Sequence, residues 1–153
     1  MERRVKGIFM VAVGVTLLTP SVSTADAPPL GILTVRLSQL RSNGGQVGCM
    51  LFGSAAGFPT DPLAAAQKRW CPINNKTSTC SFDPIPAGTY AVACFHDENK
   101  NGKLDMNEMG IPVEGYGHSN NPAKRPGPPN FDETKFKLSN PGTSIEIRLN
   151  YWM

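Results

Sequence analysis

Fifteen glycines and fourteen prolines punctuate this 153-residue chain at short intervals. Proline removes a backbone donor and glycine loses the most freedom on folding, so neither suits the interior of a long helix. Between them lie apolar runs of up to about ten residues, the length of a strand. "GILTVRLSQL" alternates, with Ile32, Thr34 and Leu40 on one parity and Leu33, Val35 and Leu37 on the other. "TSIEIRLNYW" alternates more cleanly: Ile145, Ile147, Leu149 and Tyr151 face one way, Glu146, Arg148 and Asn150 the other. "GQVGCMLFG" and "GTYAVACFH" are apolar almost throughout, as central strands covered on both faces are. "ETKFKLS" reads as a shorter amphipathic strand. One helix is expected over "DPLAAAQKR", residues 61–69, with Asp61 as N-cap, Pro62 at the first position and basic residues at the end. Residues 119–130, "SNNPAKRPGPPN", are too proline-rich for a central strand and are expected to run extended over the surface. The pattern indicates an all-β protein, a small immunoglobulin- or prealbumin-like β-sandwich with long Gly/Pro-rich loops and at most one short helix.

The N-terminal segment places Arg3, Arg4 and Lys6 ahead of a twelve-residue apolar core, residues 7–18, and small residues before a cut after Ala25, or after Ala27. That is the layout of a secretory signal, and its core is shorter than the roughly twenty residues that span a bilayer. The expected organisation is a signal peptide at 1–25 and a single β-sandwich domain at 26–153, periplasmic or secreted, with no membrane span in the mature chain. Removing the signal takes the formal charge from +3 to +1, so no basic face remains to argue for nucleic acid. An even number of cysteines in an exported chain suggests disulfides. Cys71 and Cys80 bracket "PINNKTST" and would close it as a hairpin staple, leaving Cys49 with Cys94, each in a strand-like run. No C-x-x-C pair supports a zinc site instead.

The most informative stretch is "HDENKNGKLDMNE", residues 96–108. Counted from Asp97, it places Asn99 and Asn101 at positions three and five, Gly102 at six, Lys103 at seven, Asp105 at nine and Glu108 at twelve. That is the spacing of an EF-hand calcium loop. Calcium takes six to eight oxygens, and alternate residues of a tight loop point inward to supply them. Lys103 would offer its carbonyl, Glu108 both carboxylate oxygens, and Leu104 an apolar anchor. The flanks do not support EF-hand helices: Pro84, Pro86 and Gly88 precede the loop and Gly110, Pro112, Gly115 and Gly117 follow it. Calcium is therefore expected as a structural ion, leaving a strand on one side and irregular chain on the other.

"PAGTYAVACFHDENKNGKLDMNEMGIPVEGYGHSNN", followed by "GPPNFDETKFKL", closely resembles the bacterial exported family called domain of unknown function 2141. The resemblance spans roughly residues 31 to 151, its marks being "HDENKNGKLD", "GIPVEGYG-x-SNN" and Pro-Pro-x-Phe. It implies a small exported β-sandwich and no established activity. His118 and Cys94 stand as departures from what the resemblance leads one to expect. The strand–loop–"GIP" arrangement also looks like calcium-bearing modules of bacterial surface adhesins, by analogy alone.

Other chemistry is sparser. His96 and His118, with Asp97 or Glu114, have the residue types of a transition-metal or hydrolytic site, although no His-x-x-x-His spacing occurs. No G-x-S-x-G elbow accompanies the serines. Tyr116, between two glycines and next to Ser119, Asn120 and Asn121, is placed to line a polar ligand groove. The favoured function is an exported, non-catalytic envelope or extracellular binding or accessory module, its partner an envelope protein or a glycan. The alternatives are a small metal-assisted hydrolase using His96, His118 and Glu114, and a purely structural envelope protein without metal.

Overall fold

A computed structural model of the chain describes residues 26–152. The signal segment expected at residues 1–25 lies outside them. Strands β1 (Leu30–Ser38), β2 (Gln46–Phe52), β3 (Gln67–Cys71), β4 (Ile73–Asn74), β5 (Thr77–Pro86), β6 (Gly88–Asp97), β7 (Tyr116–His118), β8 (Phe136–Leu138) and β9 (Gly142–Arg148) form two sheets. One sheet runs β4-β5-β1-β9; the other runs β3-β2-β6-β7, with β8 also pairing with β6. All pairings are antiparallel except β1 with β9. The protein is a small β-sandwich.

Alternation decides which side chains fill it. Leu33, Val35 and Leu37 of β1 meet Val47, Cys49 and Leu51 of β2, with Phe82, Val92, Ile147 and Leu149 closing the core. Each fully buried side chain of this size contributes about 1.5–3 kcal/mol. The predicted parities of β1 and β9 are those observed. Because β6 alternates, Val92, Cys94 and His96 point into the sandwich, whereas Ala93 and Phe95 point outward. Gly48, directly opposite Phe95, is glycine for a steric reason. A Cβ there would stand 2.7 Å from the Trp70 ring and 2.8 Å from that of Phe95, which meet edge to face across it.

Both disulfides pair as expected, Cys71 with Cys80 and Cys49 with Cys94. Their roles differ from the expectation in one respect. Cys71 lies on β3 and Cys80 on β5, so this bridge joins the two sheets rather than stapling one hairpin. The short hairpin β4–β5 turns at Asn75 and Lys76, both at positive φ (49° and 55°), as a two-residue hairpin turn requires.

The helix expected over residues 61–69 does not form. Asp61 does cap, accepting the Leu63 N–H at 2.8 Å, but only turns follow through Ala64. Gln67, Lys68 and Arg69 pair instead with Leu51, Met50 and Cys49 of β2. The free edge of β2 takes the segment that a helix would have needed for its second turn, an instance of tertiary pairing outweighing local propensity. Among the described residues the one helix is α1 (Phe131–Thr134), set by a capping box between Asn130 and Glu133.

Candidate functional site

β6 delivers Asp97, wholly buried, to the mouth of the acid–amide loop. Its Oδ1 accepts the Asn101 N–H (2.9 Å); its Oδ2 accepts the Gly102 N–H (3.0 Å) and the Gln46 side-chain amide (2.9 Å). Gly102 has φ +83°, the left-handed conformation that this tight turn demands. Asn99 and Asn101 each donate a side-chain N–H to the Asp105 carboxylate, at 2.7–2.9 Å. These amides, Asn101 foremost, hold the Asp105 pKa below the usual carboxylate value. Asp97, Asn99, Asn101 and Asp105 are thus linked in one hydrogen-bonded turn, and Lys103 joins it through its N–H, to Asn101 Oδ1 (3.1 Å), rather than through the carbonyl expected as a ligand.

Glu108 does not join them. Asp105 and Val113 are tied backbone to backbone, Met106 bridges Pro112, and Glu108 sits exposed at the tip of the resulting hairpin. The carboxylate beneath the loop belongs to Glu114, buried, which accepts the N–H of Glu98 at 2.8 Å and of Asp105 at 3.0 Å. It ties the two ends of the loop together. Its sequence signal is the acid inside "GIPVEGYG", whose residue type also fits the hydrolytic site expected with His96 and His118. Among the described residues no three His, Cys, Asp or Glu side chains gather as a metal cluster. The loop offers carboxylate, amide and carbonyl oxygens alone, a donor set that suits a hard cation such as calcium and not zinc.

His96, His118 and Glu114 are not brought together. His96 is fully buried, its Nε2 2.7 Å from the Gly44 carbonyl and its Nδ1 2.8 Å from the Tyr151 hydroxyl. A carbonyl only accepts, so Nε2 carries the proton. His118, opposite Ala93 in the sheet, projects from the outer face, the reverse side from His96. Its ring lies 6.0 Å from those of Phe58 and Tyr116, and burial lowers its pKa from 6.5 to about 4. It is neutral at pH 7.

The outer face of the five-stranded sheet carries a groove of about 640 Å³. Its floor is Met50, Ala93, Phe95, Tyr116 and His118; one wall is Lys103, Leu104, Met106, Met109 and Ile111, and Pro59, Pro62, Arg125, Pro128 and Trp152 also line it. Leu104 therefore faces the groove. Tyr116 lines it, in a mostly apolar setting rather than the polar one expected, its hydroxyl accepting the Trp152 indole N–H at 2.5 Å. Ser119, Asn120 and Asn121 serve the fold. Ser119 Oγ accepts the Val92 N–H (2.9 Å), between the stretches of β6 paired with β7 and β8, and donates to the Thr134 carbonyl (2.6 Å). Asn120 donates to the Lys135 carbonyl (2.9 Å). Asn121 accepts the Arg148 N–H (2.7 Å) and donates to the Glu146 carbonyl (2.9 Å), satisfying the edge of β9.

A family model described as uncharacterized protein conserved in bacteria matches residues 35–146. No curated protein and no solved structure matches the chain.

Proposed function

The chain belongs to that bacterial family, domain of unknown function 2141, and on that premise we propose that it is an exported, non-catalytic binding module of the cell envelope, with a structural calcium ion in its acid–amide loop. The observation that carries the reading is the groove, whose wall from Lys103 to Ile111 continues directly from the loop at Asp97. Its volume of about 640 Å³ lies within the usual range of ligand sites, and its lining is mostly apolar with a few polar groups. Two disulfides support an oxidising compartment, where such bonds persist. The loop ion has a plain role in this reading. It fixes both ends of the segment that forms the groove wall.

Two measurements test it. Titration calorimetry should give one calcium site with a dissociation constant on the order of 10⁻⁴–10⁻³ M, the range of extracellular modules, weakened by Asp105→Asn. No heat at millimolar calcium removes the ion from the proposal. A neutral apolar dye, N-phenyl-1-naphthylamine, should brighten on the purified protein and lose that response in Met109→Asp. Absence of dye binding removes the binding module.

A further inference from the structure

The lining of the groove has a charge bias beyond its apolar character. It includes Lys103 and Arg125 and not one carboxylate. The Arg125 guanidinium is engaged by both oxygens of Glu133. Lys103 has no ion pair within 4.0 Å among the described residues, and the nearby Asp105 carboxylate, turned to Asn99 and Asn101, does not line the groove. His118, neutral on the floor, adds a hydrogen-bonding group without adding charge. Along the wall, Met106 and Met109 are 50% and 78% exposed and Ile111 is 36% exposed, an apolar strip that water covers poorly. Unbranched methionine side chains conform to flexible apolar partners without fixing one shape.

We propose that this groove takes a single-chain anionic amphiphile of the fatty-acid class. Its aliphatic chain lies along Met50, Met106, Met109 and Ile111, and its carboxylate lies at Lys103. The proposal rests on the reading of the chain as a binding module; the loop ion would steady the groove wall but takes no part in holding the ligand. Lys103 serves both without conflict, because an ion would use its carbonyl and the ligand its ammonium. The apolar chain supplies most of the affinity, and the ammonium sets the preference for a negative head group.

Displacement of N-phenyl-1-naphthylamine from the purified protein, in calcium-free buffer and below the micelle concentration of each competitor, tests the assignment. Hexadecanoate should displace the dye about five- to tenfold more strongly than hexadecanol or hexadecyltrimethylammonium, the worth of one partly shielded charge pair. Lys103→Glu, on an exposed loop position, should erase or reverse that order while the dye itself still binds. By titration calorimetry, which needs no dye, Met109→Asp should weaken hexadecanoate and hexadecanol together. Dye binding with no displacement by hexadecanoate overturns the proposal and leaves the binding-module reading standing; no dye binding overturns both. A cationic competitor as effective as the anionic one also overturns it. So does a concentration-dependent dimer that excludes the dye, which would make a second copy the occupant.

Discussion

Asp97 answers to the strand behind it and to the loop ahead of it. Its carboxylate receives two loop backbone N–H groups and the Gln46 amide, all at 2.9–3.0 Å, while the residue has no solvent exposure. Asp97→Ala in EDTA should therefore cost roughly 2–4 kcal/mol in urea unfolding, because it leaves donors to a buried charge unmatched. An unchanged midpoint would mean that the loop closes by other contacts. His118 makes a separate, pH-dependent prediction. Its folded pKa of about 4 lies below the ordinary 6.5, so between those values the unfolded chain binds a proton that the fold refuses. Stability then rises with pH through that window and is lost on acidification, by at most about 3 kcal/mol between pH 7 and 4. His118→Phe should flatten that part of the profile. Wild-type and variant curves that stay parallel would place the acid sensitivity elsewhere.

At the scale of elements, the two disulfides hold different things. Cys49–Cys94 lies within one sheet, between residues in direct register on β2 and β6, and spans 45 residues of chain; Cys71–Cys80 joins the two sheets and spans nine. The chain-entropy relation gives about 4 kcal/mol for the longer loop and about 2.6 kcal/mol for the shorter. A Cys49→Ala, Cys94→Ala double variant should thus lose more stability than a Cys71→Ala, Cys80→Ala one, as read from denaturant midpoints. Equal losses would show that inter-sheet attachment outweighs loop closure. Both pairs were legible from the sequence, because strand-like settings and a short loop constrained them. The helix expected at residues 61–69 is not legible as absent, because the contact that defeats it, Gln67–Arg69 on the edge of β2, is long-range and leaves no local trace. The loop illustrates the same divide. The convergence of Asp97, Asn99, Asn101 and Asp105 follows from spacing within one turn. The place of Glu114 under Glu98 and Asp105 depends on a second hairpin folding back, and so does the exposure of Glu108. Tyr116 reaches the groove because β7 aligns it with Phe95; of the asparagines beside it, Asn120 binds the Lys135 carbonyl at the end of α1 and Asn121 the edge of β9.

Across the whole molecule, the loop lies where the sandwich ends and the groove wall begins. β6 enters it at Asp97, Glu114 closes it from below, and Arg41 braces it, donating to the Val113 carbonyl at 3.1 Å and pairing with Glu98 at 2.7 Å. The segment from Met106 to Val113 is otherwise tied mainly by its own hairpin and carries exposed Met106, Met109 and Val113. It is the part most dependent on what holds the loop. An ion bound only by the fold stabilises by RT ln(1 + [L]/Kd), about 1.4–2.7 kcal/mol at ten- to hundredfold excess over Kd. For a domain of this size that is a rise in Tm of roughly 5–10 °C in 10 mM calcium. EDTA should reverse it and make residues 97–121 the first to be cut by protease, with the disulfide-bonded sandwich surviving longer. Zinc should do neither, since the histidines that would bind it lie on opposite faces of the sheet and His96 is committed to Gly44 and Tyr151. If zinc raises Tm and calcium does not, a histidine site replaces the oxygen loop as the stabilising centre, and the groove wall must be held by protein contacts alone.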